Sequence, residues 1–159
     1  MSRQLMSAAV FAVAVVAMTA QPVLADMSRP VISAFRGQFV VSTDELPTGK
    51  NDKDTIAKIK KAQLKELTGT PGEDNTTWNF HYTAFLTKAG NATLKMEFYR
   101  DGKQYSADKR LDGIDPKSAV LTGQITIDED EGLAKGKSYT IKLVGPGDSV
   151  VASTTVSMK

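Results

Sequence analysis

The chain has 159 residues, with 20 Lys and Arg against 18 Asp and Glu for a formal net charge of +2, and it contains no cysteine. The lack of cysteine excludes disulfides, cysteine-ligated metal or iron–sulfur centres and a cysteine nucleophile. Because the positive and negative charges nearly balance, the composition points away from a nucleic-acid partner.

The N-terminal segment has the pattern of a signal peptide for export. Arg3 precedes an apolar run from Leu5 to Ala20, and Val23 and Ala25 occupy the −3 and −1 positions of a cleavage site before Asp26. The apolar run is too short for a stable membrane anchor. A lipoprotein would need cysteine where this chain has Asp26, so no lipid anchor is expected either.

Cleavage at this site divides the chain into a signal peptide, residues 1–25, and a mature part, residues 26–159. The mature part of about 130 residues suits one domain whose core is large enough to fold without cross-links. We therefore expect a single exported domain without a membrane anchor, located in the periplasm or outside the cell.

The start of the mature chain predicts one strand followed by one helix. β-branched and aromatic residues predict the strand from about Phe35 to Ser42. After a polar loop, Asp52 or Asp54 is predicted to cap a helix that begins at Thr55. The helical pattern is best from Thr55 to Lys61, and the segment Lys61 to Thr68 fits either a continued helix or a short strand.

The most aromatic segment, about residues 77–87, alternates large rings with smaller polar side chains. Trp78, Phe80 and Tyr82 fall on one face of the predicted strand, which we assign to the core. Phe85 falls on the opposite face, as does Tyr99 of the next predicted strand, residues 93–100. These two rings are therefore predicted to be exposed, and an exposed aromatic pair is evidence for a binding surface.

A hairpin is predicted at Asp101-Gly102, because this dipeptide favours a type I′ turn. The turn joins residues 93–100 to a further strand, residues 103–111. Many charged and small residues in this second strand predict that it lies at the edge of a sheet.

The C-terminal part predicts three consecutive strands, at about residues 119–128, 137–145 and 149–158. Every second residue in each is apolar or small, as in half-buried strands. A glycine and proline cluster around Pro146 closes the last hairpin. Tyr139 lies near the start of the middle strand, six residues after Leu133 and three after Gly136.

This spacing resembles the tyrosine corner of immunoglobulin-like sandwiches, in which the phenol turns back to bond backbone upstream. The resemblance implies a bond from Tyr139 to the backbone near Asp130 to Gly132. With Trp78 in an early strand, the stretch from Trp78 to Lys159 resembles immunoglobulin-like or fibronectin type III-like domains. It departs from the antibody pattern at Ile141, where the second cysteine of the bridge would stand.

The layout also resembles small exported, uncharacterised bacterial proteins, and that resemblance implies no known activity. In all, seven strand candidates are joined without regular intervening helices, apart from one short helical insertion. They predict an all-β fold: a two-sheet antiparallel immunoglobulin-like sandwich of about seven strands.

Catalytic patterns are sparse. His81 is the only histidine, so the sequence offers no two-histidine metal site, and the Gly-x-Ser-x-Gly motif of a serine nucleophile is absent. We therefore expect no catalytic residue and no cofactor. A small carboxylate-dependent hydrolase is the alternative, and it requires Asp112, Asp115, Asp128 and His81 to converge in one pocket.

The densest acidic run, from Asp128 to Glu131, offers Asp128 and Asp130 as candidate calcium ligands. Against a calcium site, Gly132 comes one position early for an EF-hand loop, and the closing glutamate is missing. A solvated acidic turn is the simpler interpretation.

The sequence as a whole favours an exported, non-catalytic interaction or structural module of the bacterial envelope. Its expected partner is an envelope protein, a peptide or a glycan, bound through edge strands or loops, and neither nucleic acid nor a membrane anchor is expected. The hydrolase and a calcium- or glycan-binding sandwich are the alternatives. The sequence does not indicate the oligomeric state.

Overall fold

A computed structural model describes residues 27–159, so the predicted signal peptide and its cleavage site lie outside the described residues. The helices and strands in chain order are α1 Arg29–Phe35, β1 Phe39–Ser42, α2 Asp52–Ala62, β2 Glu66–Leu67, β3 Thr70–Pro71, β4 Thr76–Phe85, β5 Leu94–Arg100, β6 Gln104–Leu111, β7 Val120–Asp128, β8 Ser138–Val144 and β9 Val150–Met158. Neither helix of this part of the chain is long and apolar enough to cross a membrane.

The strands form two sheets. In the first sheet β4 is central, with β7 antiparallel along one side, while β1 and β3 share the other side. The second sheet has the order β2-β9-β8-β5-β6, and only the short β2–β9 pair is parallel. β1, β4 and β7 correspond to strands A, B and E of the immunoglobulin fold, and β6, β5, β8 and β9 correspond to C′, C, F and G.

The prediction of an immunoglobulin-like sandwich is confirmed. Residues 27–159 contain nine strands rather than about seven, because β2 and β3 are two-residue strands too short for the alternation of side chains to reveal. They also contain two α-helices rather than one short helical insertion. The predicted edge strand is β6, which ends the second sheet, and Asp101 and Gly102 before it have φ of 50° and 73°, as a type I′ turn requires.

The main core lies between the two sheets. Trp78, Phe80 and Tyr82 of β4 project into it as predicted, and all are fully buried with Phe98 and Ile141 of the second sheet. The ring of Phe39 stacks on that of Tyr82 with centroids 5.2 Å apart. Burial raises the pKa of Tyr82 to about 12, so this phenol stays neutral.

A second, smaller apolar cluster covers one end of the outer face of the first sheet. There Phe35 of α1 meets Phe85 of β4 with ring centroids 5.1 Å apart, and Val40 and Ile59 complete the contact. The prediction that Phe85 is exposed is therefore wrong. Alternation along β4 correctly places Phe85 on the outer face of the first sheet, but α1 and α2 cover that part of the face.

The prediction of a strand from Phe35 is also wrong, because Phe35 is the last residue of α1. Pro30 lies in the first turn of this helix, where its missing N–H costs nothing. Val31 and Phe35 are four residues apart, so both face the sheet. Gly37 then turns the chain into β1 with φ of 79°, in the left-handed region that glycine readily adopts.

Helix α2 begins earlier than predicted. Its N-cap is Asn51, whose side chain accepts a hydrogen bond from the backbone N–H of Asp54 at 2.9 Å, rather than Asp52 or Asp54. Both aspartates lie in the first turn, where negative charge favours the helix. The ambiguous segment from Lys61 to Thr68 is divided: the helix ends at Ala62 and β2 begins at Glu66.

Candidate binding surface

Tyr139 lies near the start of β8 with only 1% of its surface exposed. Its hydroxyl accepts a hydrogen bond from the backbone N–H of Ala134 at 2.9 Å, and Leu133 is buried beside this bond. The partner is therefore Ala134, not the segment from Asp130 to Gly132. The acidic residues of that segment are used by a short 3-10 turn, Glu129–Glu131, which closes with its own capping bonds.

Trp78 and Gly136 are the other two residues for which the sequence predicts a structural role. The Trp78 indole N–H donates to the carbonyl of Lys159 at 3.3 Å, which fastens the end of the described chain to the core. Trp78 is on β4, the equivalent of strand B, whereas antibody domains carry their core tryptophan on strand C. Gly136 has φ of 77° in the connection before β8.

The acidic run binds the turn before β4 through hydrogen bonds. We call its four residues the acidic clasp: Asp128, Glu129, Asp130 and Glu131. The carboxylate of Glu129 accepts from the backbone N–H of Thr76 at 2.8 Å, and that of Asp130 accepts from the Asn75 amide at 2.8 Å. Asp128 and Glu131 cap each other's backbone N–H groups. The clasp thus joins the connection after β7 to the turn before β4.

These bonds bear on the candidate calcium ligands Asp128 and Asp130. Each carboxylate is directed to a different protein donor, and no group of three or more His, Cys, Asp or Glu within residues 27–159 is arranged to hold a metal ion. The run therefore acts in this structure as a set of hydrogen-bond acceptors.

The residues of the hydrolase alternative are not brought together. Asp112 lies just after β6, where it accepts from Thr93 and Arg110, and Asp115 follows in the same loop. Asp128 is at the far end of β7, and a nine-residue strand spans about 30 Å. His81 is on the outer face of the first sheet, opposite Gln124 of β7.

A candidate binding surface instead lies on the outer face of the second sheet, and we call it the tyrosine face: Tyr99, Tyr105 and Lys142. Tyr105 is 50% exposed, and its ring meets that of Tyr99 edge to face, with centroids 5.8 Å apart. The Lys142 ammonium lies 4.1 Å from the centroid of Tyr99. Aromatic rings with a polar tip and a neighbouring cation are typical of binding surfaces.

The tyrosine face is held by a carboxylate beneath it. Glu97 is only 6% exposed, and it accepts hydrogen bonds from the Tyr99 hydroxyl at 2.7 Å and from the Lys95 ammonium at 3.0 Å. The hydrogen bond to Glu97 raises the pKa of Tyr99, and the same carboxylate raises the pKa of Lys95. Tyr99 therefore stays neutral and Lys95 charged, and both side chains are fixed in position.

A cavity of about 460 Å³ opens beside the tyrosine face, where the β4–β5 and β8–β9 loops meet. Its apolar lining comes from Leu94, Val144 and Pro146. Lys95, Asp108 and Arg110 add charged groups, and Lys95 approaches Asp108 to 3.9 Å. Since Lys95 also contacts Glu97, the cavity and the tyrosine face form one continuous surface.

Sequence reasoning found only half of this surface. It predicted an exposed Tyr99 but paired it with Phe85, and it gave Tyr105 no role. A bulge between Phe98 and Tyr99 shifts the register so that Tyr99 lies opposite Tyr105. Counting outward from a two-residue Asp101-Gly102 turn would instead place Tyr105 opposite Phe98, so no pattern in the sequence pairs the two tyrosines.

Comparisons with known proteins add little to this geometry. No protein-family model matches the chain, and no curated protein matches it. Among solved structures, the chain is similar to an immunoglobulin-like protein from Pseudomonas aeruginosa, with 13% sequence identity and a TM-score of 0.39. The similarity covers 77% of this chain and 90% of that chain.

Proposed function

We propose that this protein is an exported, non-catalytic interaction module of the bacterial envelope, which binds a glycan or a peptide on the outer face of its second sheet. The observation that carries the proposal is the half-exposed Tyr105, set edge to face against Tyr99 and continuous with a cavity of about 460 Å³. Export rests on the N-terminal sequence pattern alone.

Three features of this surface support binding. Glu97 fixes Tyr99 and Lys95 before any ligand arrives, so little conformational entropy remains to be lost on binding. The cavity combines an apolar lining with a few convergent charged groups, as small-ligand sites do. Tyrosine is also one of the residues that most often dominate binding energy at interfaces.

Catalysis explains the residues of this surface less well than binding does. The buried carboxylate of Glu97 already accepts two hydrogen bonds, and the only histidine lies on the other sheet. A general base needs a free acceptor within reach of the proton it removes. We therefore assign Glu97 a positioning role.

The test measures binding to glycan and peptide arrays by the mature protein, followed by titration of the hits. Tyr105→Ala should weaken binding at least about tenfold, as expected for a central aromatic contact. Asn79→Ala, which alters an exposed side chain on the outer face of the first sheet, should leave it unchanged. Mass spectrometry of the exported protein should find Asp26 as its first residue.

Two results would contradict the proposal. One is a ligand whose affinity is the same for Tyr105→Ala and the parent protein. The other is the absence of any glycan or peptide ligand, combined with full-length protein retained in the cytoplasm. A ligand class found on only one array would define the ligand and support the proposal.

A further inference from the structure

Within residues 27–159, two long strands have one side without a backbone partner: β6 and β7. The opposite side of the sandwich is closed, because Val41 accepts from the N–H of Leu64 and Gly37 accepts from that of Ser153. Among the described residues β7 pairs only with β4, along all nine of its own residues. No backbone group of residues 27–159 pairs with its other side.

The two open edges differ in charge. β6 carries Asp108, Lys109 and Arg110 in succession, and charged side chains on an edge discourage pairing with another chain. β7 has no charged residue from Val120 to Ile127, and only its last residue, Asp128, is charged. A long, uncharged edge strand is a ready template for another strand. β7 is therefore the edge that is chemically suited to pairing.

The sequence of β7 allows this strand to pair with β7 of a second copy. In an antiparallel pair centred on Gln124, all nine residues are paired, and residues of the core face meet residues of the core face. On the outer face Thr122 then lies opposite Thr126, a favourable cross-strand pair. A shift of one residue sets core-facing against solvent-facing side chains, and a shift of two shortens the overlap.

Gly123 does not obstruct this register. A side chain there would meet the Tyr82 ring at 2.9 Å, so the protein's own core restricts the position to glycine. In the register centred on Gln124, Gly123 lies opposite Ile125 of the other copy, and glycine adds no side chain that could clash with it.

We propose that β7 pairs with β7 of a second copy about a two-fold axis through Gln124, joining the two first sheets into one continuous sheet. Within residues 27–159 each copy has one long open edge without a charge from Val120 to Ile127, and both copies use that edge, so the assembly closes as a dimer and does not extend into a fibre. The proposal rests on the first sheet and is independent of ligand binding at the tyrosine face.

The first experiment measures the association of the mature protein by sedimentation across a range of concentrations. The parent should form dimers. Gln124→Lys places like charges opposite each other at the axis and should weaken association about fivefold, and Gln124→Glu should do the same. Mixing the two variants should restore association as a heterodimer. Thr155→Lys, which adds the same charge at an exposed position of β9, should dimerise like the parent.

The second experiment determines the register by disulfide cross-linking. Only introduced cysteines can react, because the chain has no cysteine of its own. Directly opposed residues on antiparallel strands are close enough for a disulfide. Gln124→Cys should therefore cross-link to itself under oxidation. Thr122→Cys should cross-link with Thr126→Cys but not with itself.

The proposal is overturned by a protein that stays monomeric at every concentration, or by a dimer that Gln124→Lys does not weaken. Open-ended polymers or cross-links in another register would also overturn it. Pairing of β7 with a strand of another protein, while this protein does not self-associate, would overturn it as well. All variants alter exposed or half-exposed side chains, and circular dichroism identifies any that fail to fold.

Discussion

At the scale of single residues, the hydroxyl of Tyr139 attaches the connection before β8 to the strand through one hydrogen bond. It accepts the N–H of Ala134 in a region where Leu133 and Tyr139 are both buried. Loss of the hydroxyl would leave that N–H without its partner while the aromatic ring keeps its packing. Substitution of Tyr139 by Phe therefore measures the contribution of this hydrogen bond to stability separately from that of apolar burial.

We expect Tyr139→Phe to lower the free energy of unfolding by about 1–3 kcal/mol, because a buried donor loses its acceptor. The melting temperature should fall by several degrees. Thermal melts of Tyr139→Phe, the exposed control Tyr105→Phe and the parent test this. An unchanged midpoint for Tyr139→Phe would show that water replaces the hydroxyl without cost.

Individual residues were predictable where local spacing alone decides their place. The spacing from Leu133 to Tyr139 placed the phenol at a corner, but the choice of Ala134 as its partner depends on the 3-10 turn before it. Buried Glu97 could not be anticipated, because its burial results from Tyr99 and Lys95 folding over it. Such coverage is a product of the packed surface and leaves no periodic pattern in the sequence.

At the scale of elements, the acidic clasp determines how the connection after β7 is attached to the rest of the sandwich. Hydrogen bonds from the backbone N–H of Thr76, and secondly of Lys135, lower the pKa of Glu129. A carboxyl group with a lowered pKa in the folded state stabilises the fold above its unfolded pKa, near 4.5. That contribution is lost as the pH falls through the lower, folded pKa.

We expect Glu129→Gln to reduce the melting temperature at pH 7 and to reduce the further loss of stability between about pH 5 and pH 3. The reason is that the amide accepts hydrogen bonds more weakly than the carboxylate and does not titrate. Melting curves over this pH range test it, with Glu45→Gln at an exposed loop position as the control. Parallel acid profiles for Glu129→Gln and the parent would show that the clasp does not contribute.

The elements themselves were predictable in proportion to their length. β4, β7, β8 and β9 are seven to ten residues long, and their alternation gave both their positions and their buried faces. The seven-residue helix α1 was missed because its β-branched and aromatic residues suit a strand equally well. What favours the helix is the apolar end of the first sheet that it covers, and that surface exists only after folding.

At the scale of the whole molecule, the first sheet is buried on both faces at one end. The main core lies on its inner face, and α1 with α2 covers Phe85 and Val120 on its outer face. The two apolar clusters share β1 and β4, since neighbouring residues of each strand point into different clusters. We therefore expect the helices and the sandwich to unfold as one cooperative unit.

Phe35→Ala should test this coupling, because it removes a ring that is 1% exposed and packs on Phe85. We expect it to lower the free energy of unfolding by about 3–5 kcal/mol. Urea unfolding should give coincident curves from Trp78 fluorescence, which reports on the main core, and from helical circular dichroism. Loss of the helical signal at a lower urea concentration than the fluorescence change would show that the helices are an independent layer.

The position of β9 has a consequence for folding speed. This strand lies inside the second sheet, between β8 and β2, although its partner residues Glu66 and Leu67 are about 90 positions earlier in the chain. Closing so long a loop costs entropy before any hydrogen bond of the pair is made. Sheet proteins dominated by such distant pairings fold in milliseconds to seconds. Each newly made chain therefore passes through an interval in which the second sheet is incomplete, and during that interval its unpaired strands are most open to wrong partners.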